Sequence, residues 1–166
     1  MNRERLLRVF LWWAVLASAI WVGGTLYQMV VVVPLWSSSP PESVRSFFGG
    51  TRYNETIWNF FGPPWMAARV VPILGALVTS WKWPPHRRLL LIVVACSVFV
   101  LVFTFAYVYP INSVLIAQAG GTASPDEIRS MVQRWILADR FRFGIGTLSF
   151  LVLLRAFGLP VDNDAR

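Results

Sequence analysis

The chain has 166 residues, 56% of them hydrophobic and 14% charged, with a formal net charge of +7; soluble globular domains carry roughly 25% charged residues. With a mean hydropathy of +0.57, this balance describes an integral membrane protein of one domain, residues 1–166, with no room for a separate soluble module. Its Lys and Arg residues stand at the ends of apolar runs, not in one stripe, which argues for interfacial anchoring and against nucleic acid as a partner.

Taken in order, the apolar runs predict spans at about residues 9–34, 64–81, 89–110 and 135–157, hence an all-α transmembrane four-helix bundle in the lipid bilayer. Arg3, Arg5 and Arg8 precede the first run, Val9 to Trp36, whose only strongly polar side chain is Gln28. Its length exceeds that of a signal peptide's apolar region, so it reads as a retained span even though Ala17-Ser18-Ala19 resembles a cleavage site. Trp12, Trp13, Trp36, Trp65, Trp81 and Trp83 lie near predicted helix ends and read as an interfacial belt. Ala14, Ser18, Ala19, Gly23, Gly144 and Gly146 read as permitting close helix approach.

The second and fourth spans are short of apolar residues. Val70–Trp81 and Phe143–Leu154 are twelve residues each, about 18 Å of helix against a hydrocarbon core of about 30 Å. Extending them backward takes Arg69 into one and Trp135, Asp139, Arg140 and Arg142 into the other. Ionisable groups at such depth are costly and mark a site by default.

Two connections carry helix-start signatures, Ser39-Pro40-Pro41-Glu42 and Ser124-Pro125-Asp126-Glu127. Pro34-Leu35-Trp36-Ser37 parallels Pro110-Ile111-Asn112-Ser113, and Pro41–Ser46 parallels Pro125–Ser130. These matches predict two related halves of span, surface helix and span, related by an axis along the membrane normal. Asn54-Glu55-Thr56 fits a glycosylation pattern, and Arg52, Tyr53, Asn54 and Asn59 either roof a site or solvate a surface helix. Removing embedded Arg69, Arg140 and Arg142 from the loop count leaves the basic excess on the side of both termini. That places the termini in the cytoplasm, in a bacterial cytoplasmic membrane.

Topology brings the far half of the first span (Tyr27, Gln28), Arg69, the end of the third (Tyr107, Tyr109, Asn112) and the start of the fourth to one end of the bundle. Trp135, Asp139 and Arg142, spaced four and then three apart, share one helix face, whereas Arg140 points elsewhere. Arg69, Asn112, Tyr109 and Gln28 are their candidate partners. Two readings stay open: a buried ion pair that fixes packing, or an outer-leaflet pocket for a flat, partly apolar molecule, with Asp139 as a base. Cys96 and His86 are single, so an intramolecular disulfide and two-histidine haem ligation within one chain are excluded, and zinc lacks its usual ligands. No metal or other cofactor is expected.

Tyr107-Val108-Tyr109-Pro110-Ile111-Asn112-Ser113-Val114-Leu115 resembles the "PxN, then leucine" signature ending the third helix of the anthrone oxygenase-like (DUF1772) membrane family. Trp135-x-x-x-Asp139-x-x-Arg142 is similar to the pattern opening that family's fourth helix, with Asp139 where Asn or His is common. The resemblance implies a small four-helix membrane protein, in some members an oxygenase that converts anthrones to anthraquinones without evident cofactor. It also implies Asp139 as base, Arg142 and Asn112 as holders of the developing oxyanion, and Trp135 and Tyr109 stacked on the substrate rings. The competing expectation is a non-catalytic assembly partner or lipid-binding accessory, as a monomer or an oligomer.

Overall fold

The computed structural model describes residues 2–50, 56, 59–117 and 123–161. Among them there are helices and no strands: α1 (Arg3–Tyr27), α2 (Val33–Ser37), α3 (Glu42–Gly50), α4 (Pro63–Thr79), α5 (Pro84–Phe103), α6 (Tyr109–Ala117) and α7 (Pro125–Phe157). Three helical segments, Arg3–Ser37, Asn59–Thr79 and Pro84–Ala117, are long and apolar enough to cross a membrane. Helix α7 has the length, 33 residues, but carries Asp139, Arg140, Arg142 and Arg155 along it. Arg52, Tyr53 and most of the Asn54-Glu55-Thr56 pattern lie outside the described residues.

Pro34 and Pro110 were expected to end their spans, yet the helices run on through both. A proline within a helix lacks the N–H and crowds the carbonyl four residues earlier. Here that turn is widened: a π turn at Gln28–Val32 joins α1 to α2 just before Pro34, and another at Thr104–Val108 joins α5 to α6 just before Pro110. Each π turn begins at the same distance before its proline, so the two halves match in local structure where they match in sequence.

The halves differ in their second parts. Glycines 49 and 50 end α3, and Gly62 with prolines 63 and 64 opens α4, whereas no glycine or proline stands between Pro125 and Gly144. The expected second surface helix is therefore fused to its span as the single rod α7. Its start is the expected capping box: Ser124 Oγ accepts from the Glu127 N–H at 3.3 Å and Glu127 Oε2 accepts from the Ser124 N–H at 2.9 Å. At Ser39 the reciprocal acceptor is Ser43 Oγ, 3.1 Å from the Ser39 N–H, rather than Glu42.

The capping bonds from Ser124 hold the Glu127 carboxyl below its ordinary value. A carboxyl depressed in the folded state stabilises at pH above its unfolded pKa, and that contribution is lost as pH falls through the folded value. Glu127→Gln should therefore lower stability slightly at neutral pH and converge with the parent chain on acidification, as read by thermal unfolding at several pH values.

Helix α1 packs on α4 and α7, and α5 packs on the same two, so the long helices close a ring in the order α1, α4, α5, α7. Two apolar clusters fill it. One, around Leu7, Leu11, Ile73, Leu90 and Leu153, lies at the end where Arg3 caps α4, its Nε and Nη2 donating to the carbonyls of Thr79 and Val78 at 2.9 and 3.1 Å. The other, around Val33, Trp36, Val44, Val108, Ile128 and Trp135, lies at the π-turn end. Trp36 is thus core rather than belt, whereas Trp12, Trp13, Trp65 and Trp81 are exposed. Of the small residues, Gly146 does meet a neighbour, the Trp21 ring, but Gly23 and Gly144 face open space.

Candidate functional site

Counting back from Phe157 at 1.5 Å per residue, Arg142 and Asp139 lie roughly 22 and 27 Å along α7. At that depth a cleft of about 230 Å³ opens between the two segments that the first π turn and the start of the apolar part of α7 bring together. Met29, Val33, Pro34, Ser37 and Ser38 line one side, and Trp135, Ile136, Asp139 and Arg140 the other. Pro34 supplies a rigid apolar wall, and the serines just beyond it bring hydroxyls to an otherwise apolar rim.

Asp139 is only 1% exposed. Its Oδ1 accepts from Arg142 Nη2 one helical turn on, which neutralises the buried carboxylate. The second oxygen, Oδ2, is buried with no hydrogen-bond partner among the described residues. Arg142 is held from the opposite helix: its Nη1 donates to Thr104 Oγ1 at 3.2 Å, and Thr104 in turn donates to the Val100 carbonyl at 2.7 Å. The π turn that begins at Thr104 carries this support. A buried hydrogen bond to a charged group contributes about 1.5–3 kcal/mol. Thr104→Val should therefore destabilise the protein by about that amount, and Thr104→Ser should restore most of it, as read by thermal unfolding in detergent.

Trp135 is fixed on both sides. Its indole N–H donates to Asn112 Oδ1, and its ring meets Trp36 edge-on with centroids 4.9 Å apart at 83°. The expected stripe of Trp135, Asp139 and Arg142 thus exists, and Asn112 is joined to it. Asn112 and Arg142 stand behind the cleft wall, while Trp135 and Asp139 form it.

Other expected members sit elsewhere. Arg69 lies over the Trp21 ring at 4.5 Å, roughly 15 Å from the end of α4 and so close to mid-bundle; Asp139 pairs with Arg142 in its place. Tyr109 stacks on Phe105 with centroids 5.0 Å apart and does not line the cleft. Gln28, half-buried at the start of the π turn, makes no side-chain hydrogen bond among the described residues. Conversely, Arg140 does reach the cleft. The signal for Thr104 was a hydroxyl within an apolar run, six residues before Pro110, and that for Arg140 was its proximity to a carboxylate in a span too short without it.

Among the described residues no group of three or more His, Cys, Asp or Glu is placed to hold a metal ion. What the cleft offers instead is an aromatic wall, a carboxylate with one oxygen uncommitted, and a guanidinium at the rim.

The helices and this buried cluster define a membrane protein with a polar cleft at one end. The family model described as anthrone oxygenase matches residues 54–152, more than half of the chain, and the protein belongs to that family. The match takes in α4, α5, α6 and most of α7, including Asn112, Trp135, Asp139 and Arg142. No curated protein and no solved structure compared with the chain matches it.

Proposed function

We propose that the protein is a membrane oxygenase that uses molecular oxygen, without a cofactor, on an anthrone-like or quinone-like aromatic substrate bound in the Asp139 cleft, with α7 as a fourth span. The observation that carries this reading is Asp139 on the cleft wall that Trp135 also lines, with its Oδ2 lacking a hydrogen-bond partner among the described residues. A general base must have a free lone pair within reach of the proton it takes, and a flat ring system needs an aromatic wall.

The chemistry balances with these groups. The Asp139 carboxylate removes a proton from the substrate's benzylic methylene, and the negative charge moves onto the ring-ketone oxygen, where a guanidinium stabilises it. Arg140 is the cation at the cleft, with Arg142 holding Asp139 in place from behind. The electron-rich anion passes its electrons to oxygen, and a carbon–oxygen bond forms. Protonation by Asp139 gives a hydroperoxide, and loss of water leaves the second carbonyl. One O₂ is consumed per methylene oxidised, one atom ending in the quinone and one in water.

The test is oxygen uptake and quinone formation by the purified protein with an anthrone in air, against the protein-free rate. Quinone formed faster than in the blank, with one O₂ consumed per molecule, supports the reading. A rate equal to the blank contradicts it. A second reading, a non-catalytic accessory, is favoured by the bonds from Arg142 to Thr104 and from Trp135 to Asn112, which tie α7 to the second π turn and to α6. On that reading the cluster serves packing alone.

A further inference from the structure

A second concavity lies far from the cleft, along the outer face of α1 beside α4. It has a volume of about 460 Å³ and is lined by Val9, Trp13, Leu16 and Ile20 with Trp65 and Ala68. We propose that it seats one acyl chain of an anionic phospholipid, in the leaflet at the Arg3 end of α1, with Arg5 and Arg8 holding the phosphate.

Three observations carry this. The first is length: Val9 to Ile20 covers roughly 16 Å of helix, about half of a 30 Å hydrocarbon core and so the depth of one leaflet. The second is lining. Trp65 and Ala68 of α4 join the α1 side chains on the wall, and the neighbouring Arg69 is turned onto Trp21, leaving the groove apolar. The third is charge. Arg5 lies four residues before Val9 on the same helix face, and Arg8 adjoins Val9; both are exposed, and neither forms an ion pair among the described residues.

Arg3, by contrast, is committed to the end of α4. A groove of acyl depth that opens onto two uncommitted guanidinium groups matches a phosphodiester with a chain below it. A second copy of this chain matches it less well, because a parallel pairing on this face would bring like charges from both copies together.

The full chain, purified in detergent, is offered equal amounts of phosphatidylglycerol and phosphatidylcholine with the same acyl chains, and retained lipid is read by native mass spectrometry. The parent protein should retain phosphatidylglycerol preferentially. Arg5→Gln/Arg8→Gln should lower that preference about 30-fold, at about 5-fold per arginine near a phosphate. Lys82→Gln/Arg88→Gln, exposed charges at the same end of the bundle, should leave it intact. Ile20→Trp, which fills the groove, should lower retention of both lipids.

Equal retention of the two lipids by the parent protein overturns the proposal, as does an unchanged preference in Arg5→Gln/Arg8→Gln or an equal loss in both double variants. A lipid-free dimer that Ile20→Trp dissociates would also overturn it, by assigning the face to a second copy. None of these outcomes depends on turnover of an aromatic substrate.

Discussion

Asp139→Asn is expected to lower anthrone turnover by about 10²- to 10⁴-fold, the range lost when a positioned general base is removed. The same change leaves the Arg142 guanidinium buried opposite an uncharged amide, and breaking one side of a buried pair costs about 3–5 kcal/mol. Loss of activity alone therefore does not separate chemistry from packing. The double variant Asp139→Asn/Arg142→Gln removes both charges and keeps a hydrogen-bonding pair one turn apart, so it should recover most of the stability and none of the turnover. If turnover instead rises with stability across the three proteins, the pair is a packing device and Asp139 is no base.

The second large effect is expected away from the cleft. A Cβ built on Gly146 would stand 2.4 Å from Cζ3 of Trp21, whose ring also carries the Arg69 guanidinium at 4.5 Å. The ring cannot move without disturbing a cation held near mid-bundle. Gly146→Ala should accordingly destabilise by about 1–3 kcal/mol, the usual cost of overpacking. Gly144→Ala, with nothing within 4 Å, should stabilise by about 1 kcal/mol through helix propensity alone. Thermal unfolding of the two variants should shift in opposite directions, and Arg69→Met should reduce the penalty at Gly146 by freeing the ring. Shifts of equal sign would show that α1 and α7 do not meet at this glycine.

The residues that were legible from the sequence are those whose partners lie on the same helix. The four-then-three spacing of Trp135, Asp139 and Arg142 fixes a shared face whatever packs against it, and Asn112 followed from topology at the same end. The family resemblance rested on these same positions. Arg69 was misplaced because its partner, Trp21, is chosen by how closely α1 approaches α7 at Gly146, and spacing along α4 carries no such information.

Span ends were misjudged for a related reason. A proline reads as a terminus unless the preceding turn is widened, and the π turns before Pro34 and Pro110 have no composition of their own. Continuity through Pro34 is what carries Ser37 and Ser38 to the cleft. Without it the cleft would lose both hydroxyls from its wall. Arg140 was discounted because it leaves the stripe of its neighbours, although the cleft is lined by both Asp139 and Arg140.

Thiol protection distinguishes a cleft that holds a flat aromatic molecule between Pro34 and Asp139 from one that does not. In a Cys96→Ala background, which removes the native cysteine, Ser37→Cys places a thiol on the cleft wall and Gly23→Cys places one on the open face of α1. Alkylation rates are then measured with and without an anthraquinone. Modification of Ser37→Cys should slow in the presence of the quinone, and that of Gly23→Cys should not change. Equal rates at Ser37→Cys with and without saturating quinone, in a protein that still oxidises an anthrone, would contradict binding in the cleft.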